Sequence, residues 1–113
     1  MHAGPLTIEV VDGARLGEVV LRLAGPLVLD ILFDFQKLWR GQNAPNIIVD
    51  LTNVPYVDSS GIGSLVNMHV SRQKLGGRVQ LLGVSERVKT VLAVTRVDQI
   101  FALGAESEAG NLV

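Results

Sequence analysis

Val54-Pro55-Tyr56-Val57-Asp58-Ser59-Ser60-Gly61-Ile62-Gly63 is the stretch from which the fold of this chain is read. An apolar, β-branched run, Ile47 to Leu51, leads into it, and apolar residues at helical spacing lead out. The stretch is therefore a strand-to-helix turn. An acid and two hydroxyls sit where a helix N-terminus offers free backbone N–H groups and a partial positive charge.

Upstream of it, Leu6 to Val11 alternates and is β-branched, which predicts a strand with Ile8 and Val10 on one face. Asp12-Gly13 is a turn dipeptide, and Glu18 to Ala24 predicts the hairpin partner. Gly25-Pro26 ends that strand, because proline removes a donor. Val28 to Arg40 predicts a helix with Val28, Leu29, Leu32, Phe33, Phe35, Leu38 and Trp39 turned to a sheet. Asn46 to Leu51 is almost wholly apolar. It reads as a strand covered on both faces, at the centre of a parallel sheet.

Downstream, the helix that starts at the turn extends to about Leu75, with Ile62, Leu65, Val66, His69 and Val70 on its apolar stripe. Gly76-Gly77 ends it. Val79 to Leu82 is a further buried strand. Ser85 caps a last helix that turns Val88, Val91, Leu92 and Thr95 inward, with Glu86 in its first turn. A short edge strand is expected between Val97 and Leu103, around Ile100-Phe101. After the opening hairpin, strands and helices alternate, which predicts right-handed crossovers and a largely parallel α/β sheet. One domain over residues 1–113 is expected, with 1–5 and 104–113 as frayed tails.

Composition narrows the function classes. Hydrophobic residues make up 48% of the chain, as in a compact core rather than a disordered segment. Ten basic and eleven acidic side chains leave a net charge of −1, which gives no field for nucleic acid or an anionic membrane. There is no cysteine, so disulfides, thiolate chemistry and Cys-based metal sites are out, as fits a reducing cytosol. No apolar run approaches the ~20 residues that span a bilayer. Met1-His2-Ala3-Gly4-Pro5 lacks the layout of a signal peptide, so a soluble cytoplasmic domain is expected.

Catalysis at the turn lacks partners. A serine-hydrolase elbow reads G-x-S-x-G, and the residues two before Ser59 and Ser60 are Val57 and Asp58. The histidines are His2 and His69, and His69 lies about two and a half helical turns from Ser60. Gly61-x-Gly63 has Val66 where a dinucleotide loop needs its third glycine, and no Lys-Ser or Lys-Thr follows. Two histidines and scattered carboxylates give no metal-ligand spacing, so no catalytic residue, cofactor or metal is expected. His69 falls in apolar register and reads as half-buried packing. Aromatic residues make up only 4% of the chain, and Trp39, Phe33 and Phe35 read as core rather than as a stacking platform.

Two uses of the hydroxyls remain. One serine caps the helix, with Asp58 helping to satisfy the first turn. Alternatively, a serine accepts a phosphate. A phosphoserine carries about −1.5 to −2 charges. At a helix N-terminus the dipole and free N–H groups accommodate it, while it repels an acidic or apolar partner docked there.

The run from Ile47 through Asp58-Ser59-Ser60-Gly61-Ile62-Gly63, with Gly76-Gly77 and the Val84-Ser85 segment downstream, resembles the STAS family. Within that family it is most similar to the bacterial anti-sigma factor antagonists, from about Thr7 to Leu103. The resemblance implies a four- or five-stranded sheet with helices packed on it. It implies a non-enzymatic partner switch. The unphosphorylated protein binds an anti-sigma factor that is also a serine kinase, the kinase phosphorylates the second serine, here Ser60 rather than Ser59, and a phosphatase resets the cycle. On that reading Asp58 flanks the acceptor, Gly61 and Gly63 admit the kinase backbone, and Ile62, Gly25 and Leu27 belong to the surroundings. Helical spacing adds Ser64 and Asn67 to the docking face. The alternative use of the same fold is an unphosphorylated scaffold or an accessory of a signalling assembly or transporter. A monomer or weak homodimer is expected, with no nucleic acid and no direct membrane contact. One departure stands out: the family's Gly-x-Leu-Asp after the second strand is Gly25-Pro26-Leu27-Val28 here, with Asp30 two residues on.

Overall fold

A computed structural model describes residues 6–97 and 100–104. The elements in order are β1 (Thr7–Asp12), β2 (Glu18–Ala24), a 3₁₀ turn (Leu29–Ile31), α1 (Leu32–Arg40), β3 (Asn46–Asn53), α2 (Ser59–Lys74), β4 (Val79–Leu82), α3 (Glu86–Val94) and β5 (Ala102–Gly104). The expected tails at 1–5 and 105–113 lie outside the described residues, and Gly104 belongs to β5.

The five strands form one sheet in the order β1-β2-β3-β4-β5. β1 and β2 are antiparallel, with Val10 opposite Leu21. The other three pairings are parallel. This is the mostly parallel sheet with an antiparallel edge hairpin that the sequence predicts.

Strand order has a consequence for the layers. Each parallel crossover joins neighbouring strands and moves the same way across the sheet, so right-handed connections place every helix on one face. The main core shows it. Leu21, Leu23, Ile47, Val49, Leu51 and Leu81 from the strands meet Phe35, Trp39, Ile62, Leu65, Met68, Val88 and Leu92 from the helices. Among the described residues, the opposite face carries a small cluster of strand residues: Val20, Ile48 and Leu82, with Val11 against it. The apolar run of β3 therefore marks a central strand, as expected, but among the described residues helices cover only one of its faces. Ile48, only 2% exposed, is buried by Val20 and Leu82 on the neighbouring strands.

All three helices also differ in part from expectation. The Val28–Arg40 segment starts as a 3₁₀ turn, whose tighter pitch shifts the apolar stripe before α1 begins. Phe35 and Trp39 are buried as expected, but Leu29 (66% exposed) and Phe33 (77% exposed) face outward. On α2, Met68 and Arg72 are buried, whereas Val70 lies in the open. Arg72 Nη1 donates to the carbonyls of Gln42 at 2.9 Å and Ala44 at 2.8 Å. That ties α2 to the loop between α1 and β3, and burial lowers the pKa of its guanidinium. On α3, Val88 and Leu92 are buried and Thr95 is exposed, its hydroxyl back-bonded to the Val91 carbonyl at 2.8 Å. The last strand forms at Ala102–Gly104, just past the expected Ile100-Phe101, and pairs with β4.

Candidate functional site

The Asp58 turn is held by the loop that follows β2. Leu27 and Val57 form an isolated parallel bridge beyond the ends of β2 and β3. The Leu27 N–H donates to the Tyr56 carbonyl at 3.1 Å, and the Asp58 N–H donates to the Leu27 carbonyl at 3.3 Å. Gly25 has φ 114°, a backbone conformation that favours glycine, and its N–H donates to the Asn53 carbonyl at 3.0 Å.

Asp58 is the N-cap of α2. Its Oδ1 accepts from the Gly61 N–H at 2.8 Å, and its Oδ2 accepts from the Leu29 N–H at 3.1 Å. One carboxylate thus closes the first turn of α2 and anchors the 3₁₀ turn 29 residues upstream. Val28 occupies the N-cap of that 3₁₀ turn and has no side chain with which to cap it. The carboxylate that the resemblance places at position 28 is missing, and Asp58 reaches across to take the backbone donor there.

The serines are left over. Ser59 and Ser60 are the first two helical residues, and neither side chain hydrogen-bonds to another described residue. The expectation that a serine caps this helix is corrected, because the cap is the acid. Ser59 is exposed and Ser60 is partly exposed. Their backbone N–H groups belong to the unsatisfied first turn, while those of Gly61 and Ile62 are taken by Asp58.

Gly61 does a different job from the one expected. It is buried, and a Cβ there would collide with the Leu27 carbonyl oxygen and the Val57 side chain. Its small size lets α2 start flush against the paired loops rather than admitting a partner. A Cβ at Gly63 would meet no atom within 4 Å, so α2 is open there. Leu27 (0% exposed) and Ile62 (4%) are supports beneath the turn. Ser64 is also buried, and its hydroxyl has no partner among the described residues, so helical spacing misplaced it on a docking face. Asn67 is exposed on the side where Gly63 is open.

Three side chains near the turn escaped sequence reasoning. Leu29 is joined to Asp58 through its backbone, and Phe33 stands one helical turn beyond it. Both side chains are exposed. Arg87, in the first turn of α3, lies over the Tyr56 ring at 5.1 Å from its centroid. His69 is half-buried, as expected, with its ring edge-on to Phe101 at 5.6 Å. Among the described residues no group of three His, Cys, Asp or Glu side chains is placed to hold a metal, and no helix is long and apolar enough to cross a membrane.

The family model of the STAS domain matches residues 6–109. The chain belongs to the STAS domain family. A relative in this family, the anti-sigma-B factor antagonist of Bacillus subtilis (strain 168), is 30% identical over 69 residues. That match covers 61% of this chain and 63% of the relative, so the chain spans less than two thirds of that relative's length. The crystal structure of TM1081 from Thermotoga maritima superposes with a TM-score of 0.79 at 26% identity, over 94% of this chain and 92% of that one. SpoIIAA of Bacillus in its phosphorylated form shares the STAS fold, with a TM-score of 0.71 at 22% identity, over 93% of this chain and 97% of that one. Within the STAS fold, the turn from Asp58 to Gly63 opens the helix after the central strand, next to the loop that follows β2.

Proposed function

We propose that this protein is an anti-sigma factor antagonist whose binding is switched by phosphorylation of Ser60. The observation that carries this reading is the division of labour at the turn. Asp58 supplies both structural hydrogen bonds, so the serine hydroxyls are not needed to hold the fold. A phosphate can be added without removing a cap.

The same geometry supports a switch rather than an unfolding. A phosphate at Ser60 sits at the positive end of the α2 dipole, close to N–H groups that lack helical acceptors. It also sits beside the Asp58 carboxylate, and the joint negative charge opposes an acidic or apolar partner surface. Leu29 and Phe33 are the apolar contacts such a partner covers, with Gly63 and Asn67 completing the face along α2. The partner is an anti-sigma factor with serine kinase activity, and a phosphatase restores the binding form. The chain itself is a binding module and not an enzyme, acting in the cytoplasm where sigma factors work. The existence of SpoIIAA in a phosphorylated form supports the compatibility of this fold with the modification.

The test uses wild type, Ser60→Ala and Ser60→Asp, each titrated against the serine-kinase anti-sigma factor of the same cell by biolayer interferometry. Wild type and Ser60→Ala are expected to bind alike, and Ser60→Asp at least about tenfold more weakly. Equal binding by Ser60→Asp refutes the switch. Failure of all three to bind, with a large homogeneous assembly by light scattering, favours a scaffold instead.

A further inference from the structure

Away from the serine turn, a groove of about 350 Å³ runs between α1 and α2, lined by Trp39, Arg40, Asn67, Val70, Ser71 and Lys74. Its two charged side chains are both cationic, one from each helix, and both are exposed. No acid lines it. Arg40 lies over the Trp39 indole at 5.6 Å from the ring centroid, and buried Arg72 approaches the same ring at 5.9 Å. Trp39 is only 1% exposed, and its Nε1–H has no acceptor among the described residues. A buried indole donor without an acceptor is costly, and the groove above this ring is lined otherwise by cations, an amide, a hydroxyl and Val70.

We infer that this groove docks an acidic segment of a protein partner, with carboxylates paired to Arg40 and Lys74. Cations in the last turn of a helix also complement its dipole. That role explains each cation singly, but not their meeting, one from each helix, along a groove with no acidic lining residue. The mixed lining favours a peptide. Val70 takes apolar side-chain stems, Asn67 and Ser71 serve the backbone, and the cations take the carboxylates. The chain carries a net charge of −1, so the positive potential is local to this groove. Nucleic acid and anionic membranes need a broad basic field, whereas a short acidic segment needs two cations at the right separation. Asn67 also borders the face assigned to the partner, but the groove stands whether or not Ser60 is modified.

Trp39 is the single tryptophan of the chain, so its emission reports on this groove alone. The probe is an octapeptide of glutamate, with an octapeptide of lysine as control. The glutamate peptide should shift Trp39 emission saturably, with perturbation of the Asn67 and Ser71 amide signals in NMR spectra, and added salt should abolish both effects. Arg40→Glu and Lys74→Glu, both at exposed positions, should each weaken half-saturation about tenfold, with the far-UV circular dichroism of the folded protein retained. Ser60→Asp should respond as wild type does. No response to the glutamate peptide, or an undiminished one in the Arg40→Glu/Lys74→Glu double variant, overturns the inference. A stronger response to a single-stranded RNA octamer or to phosphatidylserine vesicles overturns the assignment to an acidic peptide. Loss of the response in Ser60→Asp overturns the separation of groove and switch.

Discussion

Helices α2 and α3 both begin after a parallel strand, at a turn that contains serine, yet they are capped differently. At α3, Ser85 is the N-cap, and its hydroxyl accepts from the Val88 N–H at 3.2 Å. At α2, Asp58 is the N-cap, and its carboxylate accepts from two backbone donors at 2.8 and 3.1 Å. A serine used as a cap is committed to the fold, and modifying it removes a structural bond. A serine one or two places inside the helix, behind an acid that has already taken the cap, is free for other use. The pair of helices thus separates a structural hydroxyl from an available one within a single protein.

Substitutions at the two turns should differ in a definite order. Gly61→Ala should be the most damaging, at about 3 kcal/mol, because the new methyl meets a backbone carbonyl that cannot move without opening the Leu27–Val57 bridge. A urea titration measures it, and a loss below ~1 kcal/mol means the loops yield more easily than their pairing suggests. Asp58→Ala should cost about 2 kcal/mol, since it removes a cap and the anchor of the 3₁₀ turn together. Amide exchange should then accelerate at Leu29 as well as at Gly61. Protection retained at Leu29 would show that Asp58 does not reach across in solution.

Ser85→Ala should cost about 1 kcal/mol, the ordinary value of one neutral cap. Ser60→Ala should change stability by less than ~0.5 kcal/mol. The contrast between these two serines is the sharpest form of the comparison. Equal losses at both would mean that Ser60 holds the fold after all.

The opening hairpin, the central strand and the order of elements were legible because they depend on local patterns. Glu18 to Ala24 is bounded by Gly25-Pro26, and Ser85 is followed three residues on by the N–H that it caps. What was not legible depends on distant partners or on helix phase. Asp58, Ser59 and Ser60 are all good caps by residue type. The choice among them follows from the Leu29 N–H, which only the bridge between two loops brings near. The outward turn of Phe33 follows from a 3₁₀ start that an α-helical wheel does not anticipate. The resemblance makes Gly61 an opening for a partner, whereas the Leu27 carbonyl that a Cβ there would meet lies far away in sequence. Ser64 was assigned to an exposed face by spacing alone and is buried under the packing of α2. Strand β3 read as covered on both faces because Ile48 is apolar, although strand neighbours suffice to bury it.

Ser60 is proposed as the hydroxyl that the fold leaves free and the partner modifies. Incubating wild type, Ser59→Ala, Ser60→Ala and Ser85→Ala with the serine-kinase anti-sigma factor and ATP, followed by tandem mass spectrometry, tests it most directly. A single phosphate on Ser60, retained in Ser59→Ala and Ser85→Ala and lost only in Ser60→Ala, is the expected result. A phosphate mapped to Ser59 or Ser85, or none gained from a kinase that binds the chain, contradicts it.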